Sequence, residues 1–270
     1  MIVASRTAIA PELVEATRHR EAFADRASVR LAARMVIPAL LIVAWSVAAA
    51  RSPLVPSIGA TLDSLASGFT SGSYGPALLD SLKAVAIGFA IAAALGLVVG
   101  VVLGRSRFLG AVFDPVITGL FAVPRIILYP VILVAVGVGL EAKVWLVVVS
   151  AFFPIALNTI AGVRNVSPTL IKLGRSLGCS RLQLARKVYL AAAAPTVMVG
   201  VRLGFSIAFI SVIVAELFAA TTGLGLLVQK AYGLQDYSTM FAVVLLITSI
   251  ALAGNVLLWV LERRIRGAVE

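Results

Sequence analysis

Arg125 is the residue whose type and position most directly suggest binding chemistry. It stands in the apolar stretch AVPRIILYP, between Pro124 and Pro130. Ionisable side chains in long apolar stretches are costly to bury and are often functional. The guanidinium can contact an anion on a substrate path. It can also bond to backbone carbonyls that the prolines leave free, and this structural role is the interpretation that the sequence favours.

Glu216 is the second candidate, and it precedes the turn sequence TTGLG at residues 221–225. A carboxylate near the end of an apolar stretch can gate a path, or it can accept hydrogen bonds from the loop that follows. Arg202 lies in the same stretch and can extend its charged group to the membrane interface. It can also pair with Asp114 or with a neighbouring helix end, so we expect a structural role for Arg202.

Other residue types that perform catalysis are scarce in this chain. His19 is the only histidine and Cys179 the only cysteine, so the sequence offers no metal-ligand cluster, no disulfide and no Ser/His/Asp set. A phosphate-binding loop of the ATPase type needs a Gly-Lys pair, and no lysine here follows a glycine. The sequence therefore predicts a protein that is not an enzyme, with no cofactor and no metal.

The composition is that of an integral membrane protein. Hydrophobic residues make up 61% of the 270 residues, and the mean hydropathy is +1.06, whereas soluble domains are about 45–50% apolar. The net charge is +11. A basic chain can bind nucleic acid, but these charges cluster between apolar runs, as the positive-inside rule describes for membrane proteins. We therefore expect a lipid bilayer as partner and no nucleic acid.

Six apolar stretches are long enough to cross a bilayer, which takes about 20 residues of helix. They are residues 33–50, 82–103, 111–136, 144–163, 194–218 and 240–261. The third is interrupted by Pro115, Pro124 and Pro130. Most Lys and Arg residues fall on one side of this arrangement, and the other side carries only Arg51, Lys83, Lys143 and Lys230. This bias predicts a multi-pass membrane protein with both termini in the cytosol.

The predicted organisation has three parts. Residues 1–32 mix basic and acidic side chains without the apolar core of a signal peptide, so we expect a cytosolic tail. Residues 33–266 form the transmembrane domain, with a short helix near residues 58–69 on the outer face, and residues 267–270 form a second tail. Within the second span, glycine or alanine recurs every fourth residue, which favours close helix packing. The positions are Gly88, Ala92, Gly96, Gly100 and Gly104.

The loop at residues 164–193 is long for a connection between helices and contains helix signals of its own. Ser167 followed by Pro168 is typical of a helix start, and Gly178 can end that helix in a left-handed conformation. Ser180 can cap a second helix that runs through Gln183. Leu170, Leu173 and Leu177 are spaced so as to share one face of the first helix. The segment is therefore either an amphipathic surface element at the headgroups or a docking element for a cytosolic protein, and the residues alone leave both open.

The same loop resembles the "EAA" motif of ABC importer permeases, anchored on Gly178 with Val188 and Leu190 downstream. Four further segments resemble the nitrate/sulfonate/taurine branch of that family: FFPIALNTIAGVRNVSP at residues 152–168, GVRLG at 200–204, VIVAELFAATTGLGLLV at 212–228 and LERR at 261–264. The resemblance extends from about residue 54 to residue 266. It implies an all-α type I importer permease fold with cytosolic coupling helices between the fourth and fifth spans.

The resemblance also implies partners and site residues. The partners are a separate ABC ATPase, an extracytoplasmic solute-binding protein and a second permease copy in a homodimer. The expected ATPase-coupling residues are Leu170, Lys172, Leu173, Gly174, Leu177, Gly178 and Gln183. Arg125 and Glu216 are the candidates for the translocation path of a small anionic or organic solute, and Glu216 can alternatively contact the binding protein.

The sequence departs from the family pattern at the expected contact surface. Lys172, Leu173 and Gly174 occupy the acidic and alanine positions of the motif, Ala191 replaces a proline, and Asn255 stands where an aspartate is frequent. The alternative function is a stand-alone ion-coupled carrier or channel. Such a protein should carry carboxylates or paired ionisable groups in the middle of the membrane, and the sequence offers few.

Overall fold

The computed structural model describes residues 27–267, with side chains for residues 35–264. Of the predicted tails at residues 1–32 and 267–270, residues 1–26, including His19, and residues 268–270 lie outside the described residues. The contacts divide the chain into two units, Met1–Ala60 and Thr61–Glu270. All regular structure between residues 27 and 267 is helical.

The first unit contains α1 (Ala27–Arg51), and α2 (Ile58–Thr70) begins at its end. The remaining helices are α3 (Tyr74–Arg105), α4 (Arg107–Ala122), α5 (Tyr129–Val136), α6 (Leu140–Arg164), α7 (Pro168–Ser176), α8 (Arg181–Leu184), α9 (Leu190–Phe218), α10 (Leu224–Gly233) and α11 (Tyr237–Gly267). A 3₁₀ turn, Arg125–Leu128, precedes α5, and a π-helical segment, Ala185–Tyr189, joins α8 to α9. The predicted outer helix near residues 58–69 corresponds to α2.

Four helices of the described part are long and apolar enough to cross a membrane: Tyr74–Arg105, Leu140–Arg164, Arg181–Phe218 and Tyr237–Arg264. They correspond to the predicted second, fourth, fifth and sixth spans. The predicted third span consists of two arms, Arg107–Ala122 and Arg125–Val136, which meet at 85°. In the region of the predicted first span, Met35–Arg51 is a shorter apolar helix.

Of the three prolines in the third apolar stretch, only Pro124 causes the break in the helix. Pro115 lies inside α4, and Pro130 occupies the first turn of α5, where proline is tolerated. Pro124 cannot donate a backbone hydrogen bond and restricts the residue before it, so Val123 is extended with φ −69° and ψ 128°. The chain turns there, and Arg125 follows at the bend.

Helix α6 packs against α3 on one side and α9 on the other. The small residues of α3 make the first contact possible, because a Cβ atom at Gly88 would lie 2.6 Å from Cβ of Val147. At Gly96 the corresponding distance to Cβ of Ile155 is 2.9 Å, and at Gly104 it is 2.8 Å to Cβ of Val163. The predicted close packing of α3 is thereby confirmed, and α6 is the helix that it approaches.

The centre of the bundle is built from small and branched apolar residues of α3, α6 and α9. Its buried members are Ala84, Val85, Ala92, Val147, Ala151, Ala208, Phe209 and Val212. Phe89 and Phe205 pack against this core with their rings edge to face, 5.6 Å between centroids. Exposed leucine, isoleucine and valine side chains cover the outside of the helices, as a surface in contact with lipid requires.

Candidate functional sites

The segment between α6 and α9 is a helix, a glycine turn and a second helix, as the capping residues predicted. Ser167 accepts a hydrogen bond from the Thr169 amide at the start of α7. Gly178 has φ +73°, the left-handed conformation that suits glycine. Ser180 and Gln183 form a capping box at α8, with Gln183 Oε1 accepting from the Ser180 amide at 2.8 Å and Ser180 Oγ from the Gln183 amide at 3.3 Å.

One face of α7 presents leucines to the outside. Leu170, Leu173 and Leu177 are 44%, 55% and 74% exposed, and Lys172 between them is also exposed. With Lys187, Val188 and Ala191, these leucines line an open groove of about 420 Å³. An exposed leucine face beside an apolar groove suits contact with another apolar surface.

Gly174 explains how α7 is held against the second helix. It is buried, and a Cβ atom there would lie 2.7 Å from Cδ1 of Leu184 and 3.1 Å from Cγ2 of Val188. Glycine thus allows α7 to approach α8 and the π-helical segment more closely than alanine would. The departure from the motif's alanine position has a packing reason in this chain.

Arg125 lines a concavity of about 350 Å³ together with residues of α6 and α9. The other lining residues are Ile126, Leu146, Ser150, Ile207, Ile210, Ser211 and Val214. The Arg125 guanidinium donates to the Phe121 carbonyl and lies 4.5 Å from the centroid of the Phe121 ring. The contact to a carbonyl agrees with the structural interpretation of the sequence, but it occupies only part of the guanidinium.

Several donors around this concavity have no acceptor among the residues that the structure describes. Arg125 Nε is buried and makes no hydrogen bond to any residue that the structure describes. Ser150 is buried and Ser211 half-buried, and within the described ranges neither hydroxyl forms a hydrogen bond. Unsatisfied donors in an apolar setting favour an acceptor from outside the chain. The concavity is therefore chemically suited to a small oxyanion.

Glu216 is fully buried in a cluster of polar groups. The cluster lies where α3 and α6 begin and α9 ends. Lys143 Nζ lies 3.0 Å from Glu216 Oε1, 2.5 Å from Asp80 Oδ2 and 2.8 Å from the Thr222 carbonyl. All three ammonium donors of Lys143 are thus used. Ser81 Oγ, 2.8 Å from Glu216 Oε1, also accepts a hydrogen bond from the Leu224 amide.

The turn between α9 and α10 is wrapped around the same carboxylate. Gly225 donates its amide to Glu216 Oε2 at 2.9 Å, and Gly223 has φ +119°. A Cβ atom at Gly223 would collide with the Glu216 carboxylate, so glycine is required both for the backbone conformation and for the space. This arrangement matches one of the two roles open from the sequence, in which Glu216 accepts hydrogen bonds from the loop at residues 221–225.

Sequence reasoning missed Lys143, Asp80 and Ser81 as members of this cluster. The charge bias predicts Lys143 on the outer face, yet its side chain is 1% exposed. The sequence does contain a signal for buried ion pairing. Lys143 lies in the first turn of a strongly apolar helix and Asp80 lies inside another, and unpaired charges are costly there. Nothing in the local pattern connects either residue to Glu216.

Arg202 and Asp114, considered as partners from sequence, do not pair with each other. Arg202 Nη1 lies 3.3 Å from Glu262 Oε2 of α11, so the neighbouring-helix alternative is the one observed. Asp114 instead forms a bidentate pair with Arg164. Asn255 accepts a hydrogen bond from Ser206 Oγ at 2.9 Å, which links α11 to α9. In the part of the chain that the structure describes, no three His, Cys, Asp or Glu residues come together as a metal site.

This fold and its sites define a helical membrane component of a transport system. Residues 84–267 match the family described as binding-protein-dependent transport system inner membrane component, and the chain belongs to that family.

Individual relatives are similar over most of their length. The taurine transport system permease protein TauC of Escherichia coli is 32% identical over 84% of this chain and 85% of that protein. A putative ABC transporter permease of Methanocaldococcus jannaschii is 30% identical over 82% and 86%. The putative aliphatic sulfonates transport permease SsuC of Bacillus subtilis is 29% identical over 86% and 85%.

Solved structures show the same fold. An inward-facing conformation of the MetNI methionine ABC transporter superposes with a TM-score of 0.62 at 22% identity, over 72% of this chain and 94% of that chain. An amino acid ABC transporter gives 0.53 at 20% identity, over 73% and 97%. The family match and the sequence relatives make the chain an ABC importer permease, and its helical fold is similar to that of these solved transporters.

Proposed function

We propose that this chain couples a separate ATPase to the passage of a small oxyanionic solute across a bacterial inner membrane. The observation that carries the coupling part is the exposed leucine face of α7, held in place by Gly174 and by the Gly178 turn. In this proposal, α7 and α8 are the coupling helices. The coupling residues are Leu170, Lys172, Leu173, Gly174, Leu177, Gly178 and Gln183.

The roles within this set differ. Leu170, Leu173 and Leu177 form the apolar contact, and Lys172 adds a positive charge at its centre. Gly174, Gly178 and Gln183 act indirectly, since they set the packing, the turn and the cap that position the leucines. A cytosolic protein that pushes on α7 can move α6 and α9, because α7 and α8 connect those two helices.

The topology belongs to the same proposal. α1 and the bent pair α4–α5 complete six spans, both termini face the cytosol, and α7 and α8 lie on the cytosolic side with the basic residues. Two copies of the chain face each other across the Arg125 concavity, and an extracytoplasmic binding protein delivers the solute. Closed two-fold symmetry is the commonest arrangement for a subunit that assembles with itself.

The solute class is inferred from the concavity. Arg125, Ser150 and Ser211 offer donors that have no acceptor within residues 35–264, and guanidinium groups match planar and tetrahedral oxyanions. Relatives are named for taurine, aliphatic sulfonates and nitrate, all of which carry oxyanionic groups. An ion-coupled carrier has less support, because the Lys143–Glu216 cluster lies near helix ends rather than at mid-span.

The coupling role is tested by association with an ATPase subunit of the same transport system. Leu177→Glu should lower co-purification of that ATPase at least tenfold, because a charge replaces the most exposed leucine of the contact. Leu234→Glu is the matched control, since Leu234 is 81% exposed at the end of α10, away from α7. Equal co-purification for wild type, Leu177→Glu and Leu234→Glu, all monodisperse in detergent, would refute the α7 contact.

A further inference from the structure

A second groove lies on the outside of the bundle, between the last turns of α3 and the segment that leads into α9. It has a volume of about 420 Å³. The lining residues are Leu97, Val98, Val101, Val102, Arg105, Arg181, Leu182, Ala185, Arg186 and Leu190. It is separate from the α7 groove and from the Arg125 concavity, which have other lining residues.

The groove is apolar along its length and basic at one end. Helices α3 and α9 run antiparallel, because Val101 near the end of α3 shares a core cluster with Ala193 near the start of α9, whereas Ala84 shares one with Val212 near the end of α9. Arg105 at the end of α3 therefore lies beside Arg181 and Arg186, and the apolar residues extend away from them.

The three arginines are exposed and available. None of Arg105, Arg181 and Arg186 forms an ion pair within residues 35–264, and no carboxylate lines the groove. The Arg105 guanidinium lies 5.3 Å from the centroid of the Tyr189 ring. This contact keeps it close to the segment of residues 181–190, which forms the opposite wall of the groove. Three neighbouring cations without a carboxylate among the described lining residues form a site that attracts an anion.

The apolar wall is continuous with the lipid-facing surface of α3. Val98 and Val102 are 63% and 49% exposed, and Leu95 and Ile91, further along the helix, are 47% and 41% exposed. Leu182, on the opposite wall, is 69% exposed. A soluble partner could neutralise the arginines but would not reach an apolar surface that continues into the hydrocarbon region. A transmembrane helix would cover that surface but would not need three arginines at its end.

We propose that this groove binds one anionic phospholipid. Its phosphate is held by Arg105, Arg181 and Arg186, and one acyl chain lies along Leu97, Val98 and Val101. Basic pockets between transmembrane helices on the cytoplasmic side are suited to anionic headgroups. The lipid would tie α3 to the π-helical segment, whose irregular backbone places Arg186 at the rim.

The experiment titrates the full-length chain in detergent with phosphatidylglycerol or with phosphatidylcholine of the same acyl chains, and native mass spectrometry counts bound lipid. We expect at least tenfold tighter binding of phosphatidylglycerol. Changing Arg105, Arg181 and Arg186 together to glutamine should remove that preference. The matched control changes three exposed arginines outside the groove, Arg107, Arg175 and Arg264, to glutamine, and it should keep the preference.

A second variant separates a lipid site from a simple charge patch. Ala185→Phe fills the groove while leaving the arginines in place, and it should also lose the bound phosphatidylglycerol. The single change Arg186→Gln, with an expected fall of about threefold, serves if the triple variant does not stay monodisperse. The proposal is overturned if the two lipids bind wild type equally or if the control triple loses the preference. It is also overturned if Ala185→Phe binds normally or if millimolar inorganic phosphate displaces the phospholipid.

Discussion

Lys143 and Glu216 form an ion pair, 3.0 Å between Nζ and Oε1, whose two side chains are 1% and 0% exposed. The pair joins α6 to α9, and Asp80 extends it to α3. Charges removed from water are favourable only when their hydrogen bonds are satisfied, and each donor of Lys143 has an acceptor here. The cluster therefore fixes three helix ends and the turn of residues 221–225 relative to one another.

Replacing Lys143 with methionine should destabilise the protein strongly. The substitution leaves the buried Glu216 carboxylate without its cation, and breaking a buried ion pair in this way costs about 3–5 kcal/mol. Thermal denaturation of the purified chain in detergent measures the effect as a lowered midpoint. Lys230→Met is the control, because Lys230 is exposed and forms no ion pair among the described residues.

The double variant Lys143→Met/Glu216→Gln sharpens this prediction. Replacing Glu216 with glutamine removes the carboxylate charge that Lys143→Met leaves unpaired. The loss of stability in the double variant should therefore be smaller than the sum of the losses in the two single variants. Equal midpoints for Lys143→Met and Lys230→Met would show that the cluster contributes nothing to stability.

The pair between Arg164 and Asp114 should matter far less. These side chains are 39% and 33% exposed, so water screens the interaction although it is bidentate. Exposed pairs contribute about 0.2–1 kcal/mol. Asp114→Asn should therefore lower the denaturation midpoint by only a small part of the Lys143→Met effect, and less at high salt. A loss as large as that of Lys143→Met would contradict the ranking by burial.

Gly100 tests the contact between α3 and α6. A Cβ atom there would overlap the side chain of Thr159, which is fully buried and bonded to the Ile155 carbonyl. Gly100→Ala should therefore cost about 1–3 kcal/mol through overpacking. Gly119→Ala in α4 meets no atom within 4 Å and should be neutral or slightly stabilising. The two denaturation midpoints, compared with wild type, decide between overpacking and a general effect of glycine replacement.

Arg125 is tested by transport rather than by stability. If its free donors hold the solute, Arg125→Met should lower uptake at least tenfold in cells that contain normal amounts of the protein. Ser150→Ala combined with Ser211→Ala should lower uptake by a smaller factor, since neutral hydrogen bonds contribute less than charged ones. Arg107→Met, an exposed arginine at the start of α4, is the control. Full uptake by the Arg125→Met variant would contradict a contact between Arg125 and the solute. The role of Arg125 would then be the structural hydrogen bond to Phe121.

Much of the fold was predictable because it depends on residues close together in the chain. Apolar length identified the four long spans, the four-residue spacing in α3 identified its packing face, and Ser167, Gly178 and Ser180 marked the ends of α7 and α8. The break at Pro124 was visible among three prolines, but only backbone geometry separates it from Pro115, which α4 accommodates. The helices at residues 168–184 were predicted from their caps, and their contact with an ATPase stays a prediction.

The buried cluster could not be predicted in the same way. Lys143 is separated by 63 residues from Asp80 and by 73 from Glu216. Whether a charge near a helix end faces water or a carboxylate depends on the neighbouring helix, and the neighbours are set by packing along whole helices. The same holds for Arg202, whose partner is Glu262 rather than Asp114. Sequence by itself determined a helical membrane protein with its local caps and packing faces, because hydropathy, periodicity and capping act over a few residues. Only the tertiary structure decided which charges are paired, because an ion pair forms between groups that folding alone brings together.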